Sequence, residues 1–403
     1  MENNITKFNT PIDISDPNAT QRPKPYCPHL TPAISLLQPH CLAKERLTLW
    51  HPAHLPPHLT APSPLPQSTV DRITSIIGAS WTDSTKELYR TSLLVFHIFC
   101  DLNNIPDKSR CPISSNTLAT FLVSCTSAHS GSTLANYAAG IRAWHIVHGC
   151  SWDINEAKYK AILEGTTRLA PNTSKHPRRA PFTVDILAVF HSLFDHNDPC
   201  DAAIFACLVV AFYCIARLGE LMVPSIWSFK PAKHITWAGF KHTHNHDGLP
   251  VLVFHLPATK CDPKGETVQC TLHQVSSVTD SLHALENHFH LNPAKEHDHL
   301  FAWHHPTMGI HPLSKTEVSK KITAITKAHK EIPSLKGHSL QIGGTLFYLL
   351  KGVPFNVVKT MGRWTGDSFA LYLHHHALIL APFLQTEPAI LDKFEHYMLP
   401  PVH

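Results

Sequence analysis

The 11 cysteines of this 403-residue chain form no Cys-x-x-Cys pair, which argues against a zinc module and against the disulfide framework of a secreted domain. Scattered from Cys27 to Cys270, they are expected as reduced thiols in a nuclear or cytosolic protein. An apolar run of the roughly 20 residues that a membrane span requires is also missing. The longest run, from Ala202 to Ala216, is shorter and is expected as a buried helix. The opening segment MENNITKFNT has no basic-then-apolar signal pattern, so a soluble protein with no membrane partner is expected. No P-loop pattern is present to cradle a nucleotide, and no heptad run, collagen pattern or solenoid repeat appears. What the chain does have is 43% hydrophobic residues, ample for two domains plus tails.

The net charge of +4 is small, so its distribution says more than its sum. Six Lys or Arg stand against two acids from Glu156 to Ala180, and nine against two from Ser314 to Arg363. The second stretch alone carries more positive charge than the whole chain. Such stretches suit phosphate backbones, and they also suit ordinary solvated helix faces.

Thirteen of the 33 prolines lie in residues 1–67, which have almost no sustained periodicity and are expected as a proline-rich disordered tail. From Ser68 to Leu169 the pattern is helical. A capping box from Ser84 to Glu87 opens a helix with Leu88, Val95, Phe96 and Phe99 on one stripe. Asn116 is expected to cap the next helix, and Leu134, Tyr137, Ile141 and Trp144 mark the buried face of a fourth. Residues 155–169 give an amphipathic helix with Lys158, Lys160 and Arg168 toward solvent. Residues 170–181, with three prolines, read as a linker. A second domain at 182–395 begins with a helix from Thr183 and the buried apolar helix. Strands are expected at 234–237, 251–256 and 266–272, and helices resume near Ser276. Residues 396–403 form a short tail. The fold class is therefore mainly α, an α+β arrangement of helices with a small antiparallel sheet.

Four short segments of the second domain carry chemistry: ARLGEL around Arg217, ATKCDPKGE around Lys260, KGHSLQIGGT around His338, and GRWTGDSFALY ending at Tyr372. An arginine, a lysine, a histidine and a tyrosine are what a metal-free enzyme needs to clamp a phosphate, protonate a leaving oxygen and supply a covalent nucleophile. No carboxylate cluster stands beside them to hold a metal.

These segments, in this order and with Tyr372 eight positions after Trp364, resemble the active-site boxes of the tyrosine recombinases, most of all the integrase-like enzymes of fungal mobile elements. The resemblance covers about residues 68–395. It implies a SAM-like helical core-binding domain at 68–169, a catalytic domain at 182–395, and a clamp of the two around double-stranded DNA. It further implies DNA integration or recombination through a 3′-phosphotyrosyl intermediate, without cofactor or metal. By the same resemblance, Arg217 clamps the non-bridging oxygens, with Glu220 as its buttress. Lys260 on a hairpin turn is the general acid, with Lys264 as its rival. His338 bonds the phosphate or moves a proton, Trp364 donates its indole N–H, and Tyr372 is the nucleophile. Tyr348 and Tyr397 do not stand at the matching position. For Arg217 a helix-terminal ion pair, and for Trp364 and Tyr372 core packing, are the alternative readings.

One member of the set is missing. Gln341 stands where the family carries a second arginine, three residues after the histidine. A glutamine brings no charge and no cationic fork, which should cost on the order of 3 kcal/mol of transition-state stabilisation. Arg363 and Lys336 are neighbours in sequence that could substitute. The expectation is an attenuated catalyst, with a catalytically inactive DNA-binding descendant as the alternative and an unrelated helical interaction protein as the remote third. Arg142, Lys158, Lys160, Lys175, Arg178, Arg179, Lys320 and Lys321 are the candidate phosphate contacts. His374, His375 and His376 diverge by about 100° each on a helix and do not make a metal site, nor do His244 and His246. The apolar stripe near the C-terminus is the candidate surface for a homo-oligomer, a dimer or tetramer on DNA.

Overall fold

In the computed structural model the described residues are 23, 25–28, 30–53, 66–174, 179–259, 262, 264–271 and 277–366. The chain divides into two compact units, Met1–Pro177 and Arg178–His403. The division falls inside the proline-bearing stretch 170–181.

The first unit is built from helices α1 (Arg46–Leu49), α2 (Gln67–Ala79), α3 (Asp83–Leu102), α4 (Ser115–Cys125), α5 (Gly131–Val147) and α6 (Glu156–Leu169). Its core is the crossing of α3 and α5, where Leu93, Phe96, Phe99 and Cys100 meet Leu134, Tyr137, Ile141 and Trp144. The stripe expected on α5 is wholly buried. On α3, by contrast, Leu88 is exposed and Val95 half-buried, so the inward face starts at Leu93. Two caps also lie upstream of their expected places. Thr82 accepts from the Thr85 N–H at 3.3 Å, and Ser114 accepts from the Thr117 N–H at 3.0 Å. In both cases an earlier hydroxyl with extended backbone reaches an N–H of the first turn before Ser84 or Asn116 can. Asn155 caps α6 by accepting from the Lys158 N–H at 2.9 Å.

Residues 30–53, expected as part of a disordered tail, pack on this unit. Cys41, Leu47 and Trp50 belong to its core. The Trp50 indole donates to the Pro39 carbonyl at 3.0 Å, and Trp144 donates to the Trp50 carbonyl at 2.6 Å. Prolines forbid a long helix here, yet they do not stop an indole from leaving water. A tryptophan buries about 150–250 Å², on the order of 4–6 kcal/mol by area, which offsets the ordering of a short irregular segment.

The second unit comprises α7 (Val184–Leu193), α8 (Pro199–Tyr213), α9 (Ser281–Leu291), α10 (Lys315–Ala328), α11 (Gly337–Leu350) and α12 (Phe355–Met361). Antiparallel strands β1 (Phe240–His244), β2 (Pro250–Leu256) and β3 (Glu266–Thr271) form one sheet, and the short pair β4 (Trp303–His305) and β5 (Gly309–His311) another. Every residue of α8 from Asp201 to Tyr213 is buried, as its unbroken apolar run requires. Residues 234–237 are not a strand. Trp237–Gly239 instead forms a 3₁₀ turn, and pairing begins at Phe240, opposite Phe254.

The position of α11 depends on two glycines. A Cβ on Gly343 would lie 2.1 Å from the Phe182 carbonyl oxygen, and one on Gly344 would lie 2.1 Å from that of Phe212. Only glycine permits that approach, so α11 sits directly against α8. Register on the other side of the core is closed by Leu256 opposite Glu266, which sets the base of the β2–β3 hairpin.

Candidate functional site

The polypeptide leaves α8 through a strained corner. Ile215 has φ of 49°, a left-handed backbone that costs roughly 1–2 kcal/mol for a side chain of this kind. Arg217 follows two residues later, extended, ahead of the 3₁₀ turn Leu218–Glu220. Its backbone N–H donates to Glu220 Oε2 and its guanidinium to Glu220 Oε1, each at 3.1 Å. The Arg217 side chain keeps 29% of its surface exposed, whereas that of Glu220 keeps 9%. The buttress expected of Glu220 is present, and it holds both the backbone and the head group of Arg217.

His338 opens α11, and the start of that helix rests on the Arg217 turn. A Cβ on Gly337 would lie 3.0 Å from a methyl of Leu218. Burial, followed by the charges of Arg179 and Arg217, pushes the half-buried His338 imidazole below its usual range. Both effects favour the neutral imidazole of His338, with two guanidinium charges acting on it. Arg179 is exposed, and its stretch is tied to α11 where the Phe182 N–H donates to the Ser339 carbonyl at 3.0 Å. Ser339 is not the N-cap of α11. Buried in the first turn, it accepts from the Lys336 N–H at 3.2 Å.

Gln341 lies inside the protein, with 1% of its surface exposed, and its Nε2 donates to the Ile215 carbonyl at 3.4 Å. The carboxamide thus ties α11 to the strained corner behind Arg217. Of the two neighbours that could substitute for the missing charge, Lys336 is exposed, while Arg363 is committed elsewhere. Arg363 NH1 donates to Glu266 Oε2 at 2.9 Å and NH2 to Glu220 Oε2 at 2.5 Å. Trp364 packs on the apolar cluster of Ile215, Leu346, Tyr348, Leu349 and Val358, and its ring lies over Gly362.

Lys260 and Tyr372 lie outside the described residues, as do Lys175, Arg178, His374, His375, His376 and the C-terminal apolar stripe. The hairpin flanks are described. Thr259 Oγ1 donates to Glu266 Oε2 at 3.0 Å, and Lys264 is exposed, its backbone N–H donating to Asp262 Oδ1 at 2.8 Å. Among the described residues no group of three or more His, Cys, Asp or Glu could hold a metal ion, and no helix is long and apolar enough to cross a membrane.

The candidate phosphate contacts separate into two kinds. Arg142, Lys158, Lys160, Arg179 and Lys320 are exposed, with Lys158 also donating to Asn116 Oδ1 at 3.0 Å. Lys321 is turned inward, paired with the largely buried Asp201 at 2.5 Å and lying over the Phe194 ring. Sequence reasoning did not single out Glu266 or Thr259. It named Arg363 only as a substitute cation, since no spacing rule pairs an arginine with acids 97 and 143 positions away.

No protein-family model and no curated protein matches the chain. Its fold is nevertheless found among solved structures. The XerH site-specific recombinase bound to a palindromic difH substrate, in a post-cleavage complex, matches with a TM-score of 0.50 at 13% identity, over 78% of this chain and 83% of that one. The Tn1549 transposon integrase in complex with transposon right end DNA gives 0.45 at 10% identity, over 82% and 98%. At 13% identity the match at 0.50 shows a shared fold alone, that of the tyrosine recombinases, with its helices and small antiparallel sheet.

Proposed function

We propose that this chain, which has the tyrosine-recombinase fold, binds double-stranded DNA and breaks and rejoins it through a covalent 3′-phosphotyrosyl intermediate. In that reaction the Tyr372 oxygen passes its proton to the His338 imidazole and bonds to phosphorus, while the bond from phosphorus to the 5′-oxygen breaks. The departing oxygen takes a proton from Lys260, and a 5′-hydroxyl from another strand later reverses the exchange. The phosphotyrosyl link conserves the energy of the broken bond, so the step needs no nucleotide, and Arg217 and Lys260 supply the charge and the proton that a metal and its bound water would otherwise bring. Arg217, held by Glu220, offers its cationic fork to the non-bridging oxygens, and neutral His338 offers a hydrogen bond.

The observation that carries this reading is the meeting of two distant boxes. The turn of Arg217 and the first turn of α11 are in contact through Leu218 and Gly337, and the charge of Arg217 acts on His338. The residues are 121 positions apart in the chain. A suicide DNA substrate, nicked so that the cleaved strand diffuses away, tests the proposal. The expected result is a covalent protein–DNA adduct that vanishes in Tyr372→Phe; binding without any adduct would overturn it.

A second reading, an inactive DNA-binding descendant, is favoured by one observation: the inward carboxamide of Gln341. With no second arginine at that position, we propose that catalysis is attenuated and that Arg179 supplies the second positive charge near His338. A Gln341→Arg variant forming the adduct about a hundredfold faster would support attenuation; equal rates would remove it. A nuclear location, an origin in a mobile element, and assembly through the C-terminal segment belong to the same proposal.

A further inference from the structure

Arg363 links three segments that lie far apart in the chain. Its NH2 meets Glu220 Oε2, the carboxylate that also holds Arg217, and its NH1 meets Glu266 Oε2 at 2.9 Å. The Glu266 oxygen also accepts from Thr259 Oγ1 at 3.0 Å, so through Glu266 the Arg363 guanidinium is connected to both flanks of residue 260. Arg363 itself follows α12 and precedes Trp364. Two guanidinium and two carboxylate groups thus alternate, Arg217, Glu220, Arg363, Glu266, and the inner side chains are closed off from solvent, at 10% for Arg363 and 9% for Glu220.

The backbone of Arg363 has φ of 56°. A left-handed conformation at a residue with a long side chain persists only where its surroundings over-determine it, and a glycine would adopt it without strain. Gly362 next door has an ordinary negative φ of −78°. The strain therefore sits on the residue whose side chain makes the bridge.

We propose that Arg363 is a positioning residue: by bridging Glu220 and Glu266 it fixes the hairpin that carries the general acid relative to the Arg217 turn, in register with the segment leading to the nucleophile. This rests on the recombinase reading above. The action of Arg363 runs through the placement of Lys260 and Arg217, and its absence should impair departure of the 5′-oxygen more than attack on phosphorus.

Two measurements on the full chain test this. The first is amide hydrogen exchange, which does not depend on catalysis. In Arg363→Gln, the amides of Thr259 and Asp262 at the hairpin and of Arg217 at the turn should exchange at least tenfold faster, while those in the middle of α8 keep the wild-type rate. Glu266→Gln, which leaves the Glu220 contact intact, should speed only the hairpin amides, and Arg363→Lys should fall between. Unchanged exchange at the hairpin in both Arg363→Gln and Glu266→Gln overturns the bridge.

The second compares adduct formation on suicide substrates with a 5′-bridging oxygen or sulfur. A thiolate departs without a proton because its thiol ionises near about 8.5, so a misplaced general acid no longer matters. Arg363→Gln should lose at least a hundredfold on the oxygen substrate and recover to within about tenfold of wild type on sulfur. An equal loss on both substrates overturns the positioning role and leaves a purely structural bridge. If wild type forms no adduct on either substrate, the recombinase reading fails, and the positioning role with it. That outcome is distinct from the other two, which require an active wild type.

Discussion

Gln341 donates from Nε2 to the Ile215 carbonyl at 3.4 Å, joining the first turns of α11 to the left-handed corner that launches Arg217. The residue that departs from the family pattern is therefore one that supports the site from behind. Gln341→Ala leaves the Ile215 carbonyl buried without this donor, which should destabilise the protein by about 1–3 kcal/mol. Urea unfolding measures it, and an unchanged midpoint would show that the bond contributes nothing.

Gly343 admits no side chain. Its substitution by alanine brings a Cβ to within 2.1 Å of the Phe182 carbonyl oxygen, so α11 or the 182 segment must move, at about 1–3 kcal/mol or more. Gly165, in the middle of α6, has nothing within 4 Å of its would-be Cβ, and Gly165→Ala should instead stabilise by up to about 1 kcal/mol. Thermal unfolding of the two variants should show opposite shifts.

Lys320 and Lys321 are neighbours with different fates. Exposed Lys320 is expected to neutralise a DNA phosphate, so Lys320→Ala should reduce the slope of log K against log salt by about 0.9. Lys321 is occupied by Asp201. Lys321→Ala should leave that slope unchanged and lower stability, because the largely buried Asp201 loses its partner. Binding titrations across salt concentrations distinguish the two.

Acid should unfold the protein through its buried histidines. Burial pushes His145, His148 and His288 down to about 4 and His97 and His299 down to about 3. Their folded-state values lie below the unfolded one, so between about 6.5 and 4, and down to about 3 for His97 and His299, the unfolded chain binds protons that the native chain refuses. Stability is then flat above about pH 7 and falls as pH drops through that window, by up to about 1.4 kcal/mol per unit for each group. His145 shows the mechanism, since Nδ1 bonds the Ile141 carbonyl and Nε2 accepts from the Ile113 N–H at 2.9 Å. A proton on Nε2 abolishes that acceptor. His145→Gln should make the pH dependence of urea unfolding shallower, and an identical slope would contradict this assignment.

The parts of the fold legible in the sequence were those with strong local physics. The unbroken apolar run of α8, the stripe on α5 and the two hairpin strands around residue 260 all appear where composition and periodicity place them. The ordered segment 30–53 was hidden, because its anchors, Leu47 and Trp50, are isolated apolar residues in proline-rich surroundings with no period to detect. Helix starts slipped by two residues where hydroxyls cluster, since Thr82 competes with Ser84 and Ser114 with Asn116. In the candidate site, the pairing of Arg217 with Glu220 was readable from its box. The inward turn of Gln341 and the Arg363 bridge were not, because each is decided by packing between segments about 100 or more positions apart.

The most direct test of the central claim is to digest the protein–DNA product of a suicide substrate and locate the linkage by mass spectrometry. The account predicts a nucleotide joined through its 3′-phosphate to the peptide that contains Tyr372, with none on peptides containing Tyr348 or Tyr397. A linkage on any other residue, or DNA bound with no covalent product at all, would contradict it.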